Sequence, residues 1–329
     1  MAAPRVLFIG GKGIISTAAG RLAVERGMDL TLLNRGKDTT RAVADGVKQI
    51  IGDATDPDSM RAAIGSDEYD VVVNFHSFTP QQAAADVELF SGRVGHYVYI
   101  SSASAYQKPV EHLPITESTP LRNPYWQYSR DKIASEEVLT AAYRESAFPV
   151  TVVRPSHTYD RTSIPIVGHW TAVDRIRRGK PVIVPGDGTS LWTLTHTDDF
   201  ARAFVGLLGE TRAVGEAVHI TSDEALTWNQ ITTLVARAAG REPELVHIAS
   251  ESIGAELPDI GPGLVGDKSN SVIFDNSKIK SLVPGWVATI PYRVGVHEAI
   301  DWHDADESRR EVDPELDAAF DRLVERHTR

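Results

Sequence analysis

In the stretch YWQYSRDKIASEE, Tyr128 precedes Lys132 by four residues, so a phenol and an ammonium share one helical face a single turn apart. A phenol with its ordinary pKa near 10 is a poor base at neutral pH. A nearby ammonium stabilises the phenolate and lowers that value, so the pair has the parts of a proton relay. A core aromatic beside a surface lysine has the same spelling, and the pair needs support from elsewhere in the chain. That support is the run HYVYISSASAYQ, which ends in Ser101, Ser102 and Ser104. Hydroxyls at the carboxyl end of a parallel strand face the crevice where such sheets bind ligands, and one of them can hold a substrate oxygen in line with the phenol. Tyr125, in the same stretch, has no lysine at the right spacing.

The elements that must position these groups are legible as an alternation. Short runs rich in Val, Ile and Leu at 5–9, 30–34, 47–51, 71–75, 97–101 and 150–154 lack polar alternation, as strands covered on both faces do. Helical stretches at 13–26, 57–64, 79–90 and 123–146 lie between them. The expected fold is α/β, a doubly wound parallel Rossmann sheet over residues 1–155, with segments from about 181–226 returning to it. A smaller, mixed C-terminal substrate lobe takes 156–180 and 227–329. Its helical patterns are at 228–239, 277–282 and 294–302, and the tail carries Leu316, Phe320, Leu323 and Val324 on one face that docks on the body or on a partner.

The net charge of −11 argues against non-specific nucleic-acid binding, which needs a basic footprint. The absence of cysteine excludes disulfides, thiol nucleophiles and cysteine metal sites, and the histidines lack metal-ligand spacing. No leader and no apolar run of about 20 residues is evident, so a cytoplasmic location is expected.

The segment RVLFIGGKGIISTAAGRL is a strand, then Gly10-Gly11-Lys12-Gly13, then a helix. Glycines permit a tight turn and close approach to a pyrophosphate, and the helix N-terminus supplies free N–H groups. Ser16 replaces the last glycine of the usual fingerprint and is small enough for close helix packing. The second strand ends in Asn34-Arg35, where an acid normally meets the adenosine ribose. Without that carboxylate, Arg35 can pair with a 2′-phosphate, or else stack on adenine or stay solvated, so NAD or NADP is expected with a lean to NADP. Asp53 in IIGDATD is placed either to accept from the adenine amino group or to cap the helix ahead of Pro57. A nicotinamide exchanges hydride with substrate, and Tyr128 would move the matching proton.

Taken together, Gly10-x-x-Gly13, Asp53, ISSASAY, Tyr128-x-x-x-Lys132, VVRPSHTY and THTDDFARAF resemble the extended short-chain dehydrogenase/reductase family, the NAD-dependent epimerases and dehydratases. The likeness spans roughly residues 5–302. It implies Ser102, with Ser104 as neighbouring alternative, Tyr128 and Lys132 as the catalytic trio. It implies a cofactor lying along Gly10, Gly11, Lys12, Gly13, Ile14 and Ile15, past Asn34, Arg35, Asp53 and Ala54. The nicotinamide end then passes Phe75, His76, Ser77, Ser101, Tyr128, Lys132, Pro155 and His157. Substrate contacts are expected from Ser102, Ser104, His76, His157, Arg161, Arg175 and Trp192, with no metal. The activity implied is epimerase or dehydratase chemistry on a sugar nucleotide or related sugar derivative, in a homodimer.

Two positions depart from that pattern. Members that bind a nucleotide diphosphate usually have asparagine at His157 and arginine at Trp192, and tryptophan cannot clamp a diphosphate. Trp192 can stack on a ligand, but a place in the wall between the lobes is favoured. An NADPH-dependent carbonyl reductase on a non-nucleotide substrate is therefore an alternative. A further one comes from the branch similar to chloroplast stem-loop RNA-binding proteins, which shares GG-x-G and the NRGK turn: a non-catalytic RNA-binding protein. The intact trio and acidic charge favour an enzyme with a small-molecule substrate.

Overall fold

Six strands form where the apolar runs lie: β1 (Arg5–Ile9), β2 (Asp29–Asn34), β3 (Lys48–Ile51), β4 (Tyr69–Asn74), β5 (Val94–Ile100) and β6 (Val150–Pro155). The computed structural model describes residues 3–36 and 41–328, so Lys37 of the NRGK turn lies outside the described residues. The strands pair in parallel in the order β3-β2-β1-β4-β5-β6, and β11 (Ala217–Ile220) completes the sheet beside β6. Ile9 stands opposite both Leu33 and Asn74, and Asn74 opposite Tyr99, which brings the carboxyl ends of four strands to one level. Strand order reverses at β1 and β4, and that reversal opens a crevice above their ends.

Helix α1 (Ile14–Glu25) packs on one face of the sheet with α6 (Thr197–Leu207), over Val6, Phe8, Leu30 and Val71. The other face, with Leu7, Ile9, Val72 and Tyr99, is covered by α2 (Pro57–Ile64), α3 (Pro80–Phe90) and α4 (Gln127–Ser146). Helix α4 starts at Gln127 and not at Asn123, with Trp126 still extended as its N-cap. Asn123 is instead a buried brace, its Nδ2 donating to Ser104 O (2.9 Å) and Gly266 O (2.7 Å).

The lobe adds three short strand pairs around its own core. The expected return to the sheet from about 181 begins later. The strand β8 (Val182–Pro185), after β7 (His157–Tyr159), pairs with Leu245–Ile248, because Val182 and Val184 have partners in Trp170 and Trp228 of the lobe. The next strand, β9 (Leu191–Trp192), also stays in the lobe, and β10 (Leu194–His196) pairs with β7. Within 181–226, α6 and β11 go back, and the helix at Ser277–Leu282, expected in the lobe, joins them: Ile279, Leu282 and Trp286 pack into the core of the sheet.

Helix α5 (His169–Arg178) carries Arg175, which is fully buried. Its guanidinium bonds Asp321 Oδ1 (2.8 Å) and Asp317 O (3.1 Å) of the C-terminal helix Pro314–Thr328, and Pro181 O (3.2 Å). Phe320 and Leu323 of that helix pack on Ile183, Val246 and Ile248. Arg175 is thus a clamp on the tail and not the substrate contact expected of it. Among the described residues, no helix is long and apolar enough to cross a membrane.

Candidate active site

The glycine turn has no room for side chains. Gly10 has φ +83°, and a Cβ there would stand 1.9 Å from His76 Cδ2; one on Gly11 would stand 2.4 Å from Leu32 Cδ2. Gly13 is less constrained, and its N–H donates to Ser16 Oγ (2.7 Å), a bond that a glycine at 16 would lack. No acid occupies the first turn of α1, so nothing there competes with a phosphate. A cleft of about 300 Å³ lies against this turn, lined also by Lys12, Asn34, Arg35, Asp53, Ala54 and His76. Asp53 does not cap α2. Asp56 does, and the backbone and hydroxyl of Thr55 hold Asp53 below its ordinary value. Asn34 Oδ1 accepts from Gly36 N (2.8 Å), while exposed Arg35 has no acceptor among the described residues. A cradle that a Cβ would fill, beside an available guanidinium and a fixed carboxylate, fits a dinucleotide.

Above β5 the chain turns through Ala103–Ala105, and Ser102 caps that turn, its hydroxyl accepting from Ser104 N (3.1 Å) and pairing with Ser104 Oγ (2.9 Å). A cavity of about 290 Å³ opens here, with Ser102, Ser104, Tyr128, Pro155, His157 and Trp192 in its wall. Lys132 is buried beneath. Its Nζ donates to Ile100 O and Ser77 O, both at 2.7 Å, and stands 5.8 Å from the Tyr128 ring centre. Because Ser77 follows His76, Lys132 links the cavity to the glycine cleft. Burial pushes Lys132 down to about 7, with the Glu136 carboxylate working the other way.

The expected lowering of the Tyr128 phenol is not found in this arrangement. Burial raises it above its ordinary value, the Ser102 hydroxyl opposes the rise, and Asp267 adds to it. The ammonium is spent on two carbonyls, and the phenol stays protonated at neutral pH.

Other expected residues lie elsewhere. Ser101 faces away, its hydroxyl donating to Glu136, which also binds Arg154. The Phe75 ring packs edge-on against Phe8 at 5.1 Å, and Ile15 joins the same core. The Ser77 hydroxyl is turned towards Asp86, so its backbone carbonyl is what serves the site. Ile14 and Arg161 line a third cleft between α1 and the lobe, away from Tyr128. His76 lines the glycine cleft and not the cavity wall. Trp192 lines the cavity, with its edge against His157.

Sequence reasoning passed over Trp126, Asp267 and Lys268, which line the cavity. Trp126 directly precedes α4, a position that the tyrosine-lysine spacing could have flagged. Asp267 and Lys268 sit in GPGLVGDKSN, which forms a π-helical turn at Leu264–Lys268. That stretch has neither periodicity nor motif, so it carried no signal.

Residues 6–221 match the model of the NAD dependent epimerase/dehydratase family. The chain is 27% identical to a 2'-dehydrokanamycin reductase from Streptomyces kanamyceticus, over 86% of this chain and 80% of that one. It is also 27% identical to a chloroplast stem-loop binding protein of 41 kDa from Arabidopsis thaliana, over 74% of this chain and 65% of that one. A solved dTDP-glucose 4,6-dehydratase from Bacillus anthracis in complex with NAD shares the fold, with a TM-score of 0.74, 18% identity, and coverage of 93% and 98%.

Proposed function

The chain belongs to the NAD-dependent epimerase/dehydratase family, and from that premise we propose that it is a nicotinamide-dependent oxidoreductase acting on a carbinol or carbonyl carbon of a sugar-like substrate. One observation carries this reading: Ser102 and Tyr128 converge on one cavity while Lys132 ties it to the glycine cleft. When bound, the dinucleotide supplies or accepts hydride. The protein does the rest. The Ser102 hydroxyl orients the substrate oxygen, and the Tyr128 phenol, held protonated, donates its proton to that oxygen in the reductive direction. Lys132, anchored on Ser77 O and Ile100 O, would hold the nicotinamide ribose. The test is to incubate purified protein with candidate sugars and follow nicotinamide absorbance. Net cofactor consumption marks a reductase, whereas product without consumption marks an epimerase or dehydratase.

Two outcomes are expected of the cofactor end. Arg35 is exposed and lacks an acceptor among the described residues, so we assign it the 2′-phosphate of NADP. Arg35→Ala should weaken NADP over NAD by about 1–2 kcal/mol, the exposed end of the range for hydrogen bonds to charged groups. Equal losses for both dinucleotides in calorimetry would remove that assignment. Lys132, with its value at about 7, carries its ammonium below that pH and loses it above. If the ammonium holds the ribose, cofactor affinity is greatest below pH about 7 and falls towards tenfold per unit above it. Lys132→Met should bind weakly and without that dependence. A wild-type affinity flat across this range would overturn the role given to the lysine.

A further inference from the structure

The far wall of the Tyr128 cavity carries polar groups that the proton transfer does not use. The Trp192 indole N–H donates to His157 Nδ1 (3.2 Å). A neutral imidazole has a single proton, so here it is on Nε2, where it has no acceptor among the described residues. Burial, reinforced by the nearby Lys268 ammonium, pushes His157 down to about 3, so the ring stays a neutral donor at any working pH. Lys268 lines the cavity with its ammonium 5.8 Å from the Trp192 ring centre, and it has no carboxylate partner among the described residues.

Asp267, next to it, is already compensated. Lys108 is fully buried behind the wall, its Nζ 3.4 Å from Asp267 Oδ1 and without another partner among the described residues. One positive charge is therefore left over on this wall, together with one neutral N–H and one carboxylate edge. The ring of Trp126 closes the cavity from the α4 side.

We propose that this wall selects a small polyhydroxylated substrate bearing a single negative charge, a sugar acid. Lys268 and His157 Nε2–H hold the oxyanion, Asp267 accepts from a hydroxyl, and the tryptophan faces cover the ring. This rests on the oxidoreductase reading above. A pyrophosphate would bring a second charge to a wall with one uncompensated cation and no arginine among its described residues. The cavity, at about 290 Å³, is also at the small end of the roughly 300–1,000 Å³ usual for ligand pockets. An amino sugar would meet like charge.

The test separates recognition from reaction by using Tyr128→Phe protein loaded with reduced cofactor, which binds ligands without turning them over. D-glucose, D-galactose and D-mannose are titrated as free sugar, uronate, 6-phosphate, 2-amino sugar and nucleotide-diphosphate sugar. The uronate should bind at least ~10-fold tighter than its neutral parent, the scale of a charge-assisted hydrogen bond. The uronate should also bind tighter than the 6-phosphate, whose second charge finds no cation on this wall, and the reverse order overturns the proposal. The preference should vanish in Lys268→Gln and shrink in Trp192→Phe, which frees the tautomer. Equal or tighter binding of neutral, amino or nucleotide sugars overturns the proposal, as does a preference that survives Lys268→Gln or the absence of any binding. Turnover by the wild-type chain is scored separately, so a ligand bound by this rule but never reduced or oxidised would overturn the reaction and leave the wall.

Discussion

Tyr128→Phe is expected to lower turnover by about 10²–10⁴-fold, the usual contribution of a positioned general acid or base. The change removes one hydroxyl from a buried ring, and the lost contact with Ser102 should cost stability no more than about 1 kcal/mol. Dinucleotide affinity should hardly change, because Lys132 takes its anchors from Ser77 O and Ile100 O and not from the phenol. Ser102→Ala should lose less, since Ser104 Oγ is 2.9 Å from Ser102 Oγ and lines the same cavity. The raised phenol predicts a further asymmetry. Reduction, which needs the protonated form, should run at neutral pH without an inflexion from Tyr128. Oxidation should accelerate as pH rises towards the phenol's ionisation, and that limb should be absent in Tyr128→Phe. Near-wild-type turnover in Tyr128→Phe would make the residue a wall aromatic only.

Arg175→Met carries the largest expected cost in stability. Methionine fills the space, but the Asp317 and Asp321 carboxylates lose a fully buried cation. Removing one partner of a buried pair typically costs about 3–5 kcal/mol. The lower end applies, because Arg178 and Lys180 remain paired with the same carboxylates and Asp321 is half exposed. Chemical denaturation would measure the loss, and limited proteolysis should release the C-terminal helix first. In protein that stays folded, KM for the substrate should not move. A raised KM with intact stability would return Arg175 to the substrate pocket.

That arginine also shows where sequence reasoning runs out. Arg161 and Arg175 look alike in sequence, as cations in a polar lobe, yet one lines a cleft beside α1 and the other is sealed beneath a helix that starts 139 residues later. Nothing local distinguishes them, because the partner comes from the far end of the chain. The placing of Tyr128 beside Lys132 was legible for the opposite reason. Tyr128 and Lys132 are set by one helical turn, and the glycine loop by a strand, a tight turn and a helix start that follow without interruption. Asp53 was half legible: its position at the cleft could be foreseen, whereas its rivalry with Asp56 for the cap depended on which side chain reached Ser59 N. The phenol's pKa was misread because spacing alone does not say where an ammonium spends its hydrogen bonds. Asp267 and Lys268 were invisible. They arrive in the wall from a π-helical turn with no periodic pattern.

The seventh strand has a consequence for how the chain is made. β11 reaches β6 only after the ribosome has added the lobe segment that separates them, 61 residues from Ser156 to Glu216. A nascent chain that has emerged as far as Pro155 holds a sheet whose last strand offers a bare row of N–H and C=O groups, with Val150, Val152 and Val153 along it. Until α6 and β11 arrive, that edge is the stretch most open to a neighbouring polypeptide, and α6's half of the apolar face is uncovered too. A cut after residue 155 would therefore liberate an adhesive fragment rather than a free-standing nucleotide-binding unit.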